Sequence, residues 1–156
     1  FGTSLFAGRY IGSQNKTLLD LGSGAGFPGL PIALLRPEIA VTLAESQNKK
    51  ATFLREAVRT LGLQHVEVWA NRAELLPESK KFDTVTLRAV DHMAVAIASA
   101  VPRASREILL LASAPPELPV GFTLQSPVSI PGSQSSYLIR AVKTVSDWQN
   151  APRGAF

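Results

Sequence analysis

The chain has no cysteine, which excludes disulfide staples, thiolate nucleophiles and cysteine-based zinc sites. Its two histidines, His65 and His92, are isolated in the sequence, so a metal centre is not expected. No apolar run approaches the ~20 residues needed to span a bilayer. The amino terminus also lacks the charged-then-apolar pattern of a secretion signal. A soluble, cytoplasmic protein is therefore expected. Acidic residues are in the minority: 12 against 16 lysines and arginines leave a net charge of +4, a balance that fits a polyanionic partner without requiring one. At 156 residues and 46% apolar content, the chain can fill the core of one α/β domain and is too short for two.

The densest signal lies in Thr17-Leu-Leu-Asp20-Leu-Gly22-Ser23-Gly24-Ala-Gly26-Phe27-Pro-Gly29, where a buried-type apolar run ends in an acid and breaks into a glycine-rich turn. Such a turn lets backbone approach a ligand that a Cβ would push away, as nucleotide-type cofactor loops do. Glu45 follows Gly22 by 23 residues, at the end of a second apolar run, where a carboxylate can accept hydrogen bonds from ribose hydroxyls. Gly24-x-Gly26-x-x-Gly29 formally matches the dinucleotide fingerprint, so a nicotinamide or flavin enzyme is a competing reading. Two features oppose it. The charge of Asp20 would repel a pyrophosphate and suits a cationic or ammonium-bearing ligand. Phe27 and Pro28 crowd a helix start that a pyrophosphate needs bare.

The periodicity predicts strands over about Leu18–Leu21, Ala40–Ala44, Val66–Trp69, Phe82–Leu87 and Ile108–Leu111. Helices are predicted between them: Gly29–Arg36; Gln47–Leu61, with Ser46 as N-cap and Gly62 beyond its end; a short one near Arg72–Leu76; and Asp91–Val101. Strictly alternating strands and helices imply a parallel sheet with helices on both faces. Two further alternating segments, Phe122–Val128 and Ser136–Val142, read as an adjacent strand pair. Residues 1–145 are expected to form a single domain, with 1–16 the end of an amino-terminal region. Residues 146–156 would be a tail, with Trp148 its docking residue. Ala51, Leu54, Ala57, Val58 and Leu61 mark the core side of the second long helix. Phe53 is expected in the core rather than stacked on a base, and His65 is expected in a loop without a partner.

Four blocks carry a resemblance. Asp20 to Pro31, then Glu45-Ser-Gln-Asn-Lys49-Lys50-Ala-Thr-Phe53-Leu54, then Arg72-Ala73-Glu74, then Thr86-Leu-Arg88-Ala89-Val90, are similar in order and spacing to the GidB/RsmG family. Those proteins are S-adenosylmethionine-dependent methyltransferases that modify N7 of a guanine in bacterial small-subunit (16S) ribosomal RNA. The resemblance implies a class I, Rossmann-like methyltransferase fold: an α/β protein with a seven-stranded, mostly parallel sheet and an antiparallel last strand. It implies S-adenosyl-L-methionine as cofactor and 16S rRNA or the small ribosomal subunit as partner, for a monomer without metal. Asp20, Gly22, Ser23, Gly24, Gly26 and Phe27 would form the loop beside the methionine part. Glu45 would take the ribose, Ala73 and Glu74 the adenine side. Arg88 would bind cofactor or position the substrate at the end of the fourth strand. Lys49 and Lys50, with Arg55 and Arg59 on the same helix, would meet RNA. Family members carry a helical amino-terminal region before the position of Phe1, which this chain is expected to lack. Asn71 and the Arg106-Glu107 pair depart from the family pattern. A methyltransferase for another substrate, or an RNA-binding domain without turnover, are the competing readings.

Overall fold

A computed structural model describes residues 7–24, 26, 28–89, 93–114, 116–117, 120–131 and 137–144. The elements are β1 (Thr17–Leu21), α1 (Gly29–Leu35), β2 (Ala40–Ala44), α2 (Asn48–Thr60), β3 (Val66–Trp69), β4 (Phe82–Ala89), α3 (Met93–Ala100), β5 (Ala104–Ala112), β6 (Phe122–Leu124), β7 (Val128–Ser129) and β8 (Tyr137–Lys143). Short 3-10 turns occupy Ala73–Leu75 and Val101–Arg103. One sheet runs in the order β3-β2-β1-β4-β5-β8-β6, with β7 also on β8. The first five strands pair in parallel, and β8 runs antiparallel to its neighbours.

The period of two along each strand explains how the sheet is covered on both faces. Leu18, Val41, Leu43 and Leu109 pack on one side with Ile32 and Ala33 of α1 and Leu54 of α2. Their neighbours Leu19, Val85, Ile108 and Leu110 pack on the other with Ile97 and Ala100 of α3. Each fully buried aliphatic side chain contributes about 1.5–3 kcal/mol, and this double cover makes a one-residue register slip prohibitive.

The expected segment Phe122–Val128 is not one strand but two short pieces, β6 and β7, along β8. Pro127 stands between them and has no N–H for a ladder. β5 begins four residues earlier than its apolar run, taking in Ser105, Arg106 and Glu107. Glu107 is wholly buried there. Its carboxylate accepts from Asn15 Nδ2 at 2.6 Å and from the Thr84 hydroxyl at 3.0 Å, and pairs with the Arg140 guanidinium of β8.

Helix α2 starts one residue later than expected. Gln47, not Ser46, is its N-cap, and no side chain caps it. The Gln47 N–H instead donates to Glu45 Oε2 at 2.9 Å. Gly62 at φ +65° ends the helix as expected. Ala51 and Leu54 are buried on its inner face, whereas Leu61 and Phe53 are half exposed, contrary to the core positions expected for both. His65 does have a partner: its Nε2 lies 2.9 Å from the Ala33 carbonyl oxygen. His92 and Trp148 lie outside the described residues, as does the tail from residue 145.

Candidate active site

Strand order reverses between β1 and β4, and in open α/β sheets the crevice at the carboxyl ends of such strands is where ligands bind. A cavity of about 380 Å³ opens there, walled by Gly22, Ser46, the Asn71–Glu74 turn and Arg88. A larger cavity of about 670 Å³ lies at the opposite end of the sheet around Glu107 and Arg140. There the two charged groups satisfy each other, so it presents no unmatched charge to a ligand from that pair.

The glycine turn is built in two layers. Gly22 (φ +63°) and Gly24 (φ +56°) are in the left-handed region, and a Cβ on Gly22 would meet no atom within 4 Å. Gly22 therefore faces open space, and a Cβ on Gly24 would meet only the Gly22 carbonyl oxygen, at 3.9 Å. Gly26 and Gly29 face protein: a Cβ on Gly29 would come within 2.4 Å of Leu43 Cδ2 and 2.6 Å of Asp20 Oδ2. This last glycine thus lets α1 pack on the sheet. Phe27 lies outside the described residues.

Asp20 is fully buried under the turn, so it does not itself meet an ammonium group as its sequence position suggested. Its Oδ2 accepts from the Ser23 hydroxyl at 2.8 Å and the Gly29 N–H at 3.1 Å. Its Oδ1 accepts from the Thr86 hydroxyl at 2.8 Å, across the β1–β4 register that pairs the two residues. Asp20 is the internal brace of the loop, and Ser23, also buried, is part of it. Burial pushes the Asp20 carboxyl up to about 6, against the opposing pull of these hydrogen bonds and the nearby Arg88 charge. Between about pH 4 and 6 the fold therefore holds a proton that the unfolded chain releases. Stability contributed by that proton is full below pH 4 and lost as pH rises to 6. An Asp20→Asn chain should gain ground on the wild type across this window, by at most roughly 3 kcal/mol for a two-unit displacement. Denaturant melts from pH 4 to 6.5 check this, and a pH-independent difference would contradict it.

Glu45, at the end of β2, is also buried. One oxygen accepts from the Gly24 N–H and the other from the Gln47 N–H, both at 2.9 Å. It clasps the glycine turn to the start of α2, and each oxygen retains a lone pair for a ligand hydroxyl. Ala73 and Glu74 form the short turn on the far wall of the cavity. That turn is held by two residues the sequence did not single out. Trp69 Nε1 donates to the Arg72 carbonyl at 2.9 Å. Buried Arg103 donates to the carbonyls of Leu76 and Pro77 at 2.7 and 2.6 Å. Arg88, exposed at the end of β4, completes the cavity wall.

The four basic residues of α2 do not form one patch. Lys49 and Lys50 stand in the first turn beside Gly24. Arg59 is ten residues further along, about 15 Å by helical rise, and pairs with Glu56 at 2.6 Å. It suits the negative end of the helix dipole, which accounts for it without RNA. Arg55 is exposed between them.

The fold is shared with solved structures. The mitomycin 7-O-methyltransferase MmcR superposes with a TM-score of 0.73 at 15% identity, over 92% of this chain and 53% of that one. Magnesium protoporphyrin IX methyltransferase from Synechocystis, solved with bound SAM, gives 0.66 at 16%, over 92% and 76%. Sheet order and crevice together define a class I S-adenosylmethionine-dependent methyltransferase fold. Within that class, the family model of rRNA small subunit methyltransferase G matches residues 2–115. Ribosomal RNA small subunit methyltransferase G of Stenotrophomonas maltophilia is 42% identical over 125 residues, 74% of this chain and 59% of that protein. The chain belongs to this family, GidB, and spans about 59% of that relative's length.

Proposed function

We propose that the chain binds S-adenosyl-L-methionine at the β1/β4 crevice and transfers its methyl group to N7 of a guanine in 16S ribosomal RNA. The observation that carries this reading is the turn itself: two left-handed glycines, Gly22 facing open space, above a buried, hydrogen-bonded acid and clasped by Glu45. A cofactor with a ribose and a positively charged end suits that cradle better than a pyrophosphate, because the loop N–H of Gly24 is already committed to a carboxylate. The bound cofactor supplies an activated methyl group on a cationic sulfur. Guanine N7 carries an in-plane lone pair and no proton, so the site needs no general base. The protein's work is then alignment and exclusion of water. Gly22 leaves room, Glu45 accepts ribose hydroxyls, Ala73 and Glu74 border the adenine, and Arg88 binds phosphate, cofactor or the O6 edge of the base. We read residues 1–145 as one domain, monomeric, without metal and cytoplasmic. Among the described residues no helix is long and apolar enough to cross a membrane.

Calorimetric titration with S-adenosylmethionine tests the cofactor assignment, and a chain that takes up none would leave only an RNA-binding role. Glu45→Ala removes both the clasp and the hydroxyl acceptor, and should cost about 1.5–3 kcal/mol of cofactor affinity. An unchanged dissociation constant in the same titration would make Glu45 a loop brace only.

Lys49 and Lys50 stand in the first turn of α2, whose dipole disfavours cations, and no acidic residue offsets them there. Phosphate contact gives that placement a purpose. Replacing both with alanine should flatten the salt dependence of RNA binding by roughly 0.7–0.9 log units per lost contact and leave cofactor affinity intact. RNA titrations at several ionic strengths read this directly, and equal slopes would place the RNA footprint elsewhere.

A further inference from the structure

Phe53 is 55% exposed, the most exposed aromatic side chain among the described residues, although its neighbours Ala51 and Leu54 are buried in the core. It lies three and four residues beyond Lys50 and Lys49, the spacing that stacks side chains on one helical face. These three residues and Gly24 line a shallow depression of about 300 Å³ on the outer side of the glycine turn. The depression is separate from the cofactor cavity, which Gly22 borders instead. A bare ring flanked by two cations, on a basic chain, matches the chemistry that holds single-stranded nucleic acid: a face for a base and charges for the phosphates on either side of it.

We propose that Phe53 is a stacking platform for an unpaired nucleobase of the RNA substrate, next to the base that is methylated, with Lys49 and Lys50 on the adjoining phosphates. This rests on the RNA-methyltransferase reading above and names a contact that reading does not contain. A ring in this position selects for splayed, single-stranded RNA and is indifferent to base identity, since every base has a face to stack. Half exposure also means that the ring can be removed without opening a core cavity.

The test compares Phe53→Ala, Phe53→Leu and Phe53→Tyr for affinity to 16S rRNA and to a single-stranded oligoribonucleotide carrying 2-aminopurine, whose fluorescence is quenched by stacking. Alanine and leucine should weaken RNA binding roughly tenfold and abolish the quenching, while tyrosine restores both. The S-adenosylmethionine dissociation constant and the melting temperature should stay at wild-type values in all three. Irradiation at 254 nm should add a nucleotide to the peptide Ala51–Arg55 in the wild type and not in Phe53→Ala. Leucine binding as well as phenylalanine would mean a merely apolar contact and overturn the proposal, as would unchanged affinity in Phe53→Ala. A wild-type chain that binds RNA with quenching but methylates none of it would overturn the methyltransferase reading while upholding the platform.

Discussion

A Gly22→Val chain should fold and bind no S-adenosylmethionine measurably, a loss of at least a hundredfold. Gly22 borders the β1/β4 cavity at φ +63°, with nothing within 4 Å of where its Cβ would be. A Cβ there meets no protein atom, so a branched side chain is directed into the space proposed for the ligand. The left-handed backbone adds strain of order 1–2 kcal/mol, which lowers the melting temperature by a few degrees and leaves the fold intact. Calorimetry beside a thermal melt separates the two effects. Wild-type affinity in the folded variant would remove the turn from the cofactor site.

The largest loss of stability is expected far from the crevice. Glu107→Ala deletes the acceptor shared by Asn15, Thr84 and Arg140, leaving polar groups buried without it. The Arg140 guanidinium left behind is about a third exposed and water can reach it, so the loss is that of the buried carboxylate's hydrogen bonds, about 1–3 kcal/mol. Glu107→Gln keeps the shape and one acceptor, and should cost about a third of that. Urea unfolding curves at neutral pH measure both. Equal midpoints for alanine and wild type would mean that water substitutes for the carboxylate and the cluster holds nothing.

The contrast between these two sites explains what was legible in the sequence. The crevice could be read because its parts are local: a strand, an acid and four glycines within thirteen positions, then Glu45 at the end of the next strand. Each follows from backbone requirements that a short segment states by itself. The five parallel strands were legible for the same reason, since their apolar runs are short and separated by helical periodicity. Glu107, Asn15 and Arg103 were not, because a buried charge has meaning only beside its partner. The partners of Glu107 come from residues 15, 84 and 140, and those of Arg103 from the chain between Glu74 and Lys80. In sequence, Arg106-Glu107 precedes an apolar run rather than belonging to it, which is why the expected β5 is short. The Thr86 brace had a faint signal, as a hydroxyl on the strand that the reversal of order places beside β1. Phe53 failed differently. Its helical position is one residue from the core position Leu54 and two from Ala51, and hydrophobicity alone assigned it to the wrong face.

Methyl transfer itself gives the most direct test. The chain is incubated with S-adenosylmethionine labelled in its methyl group and small ribosomal subunits that lack the modification. The rRNA is then reduced with borohydride and cleaved with aniline, which breaks the strand at N7-methylguanine. The account predicts label in 16S rRNA and a single new cleavage at a guanine. Label transferred to another base, or to no RNA at all by a chain that binds the cofactor, would contradict it.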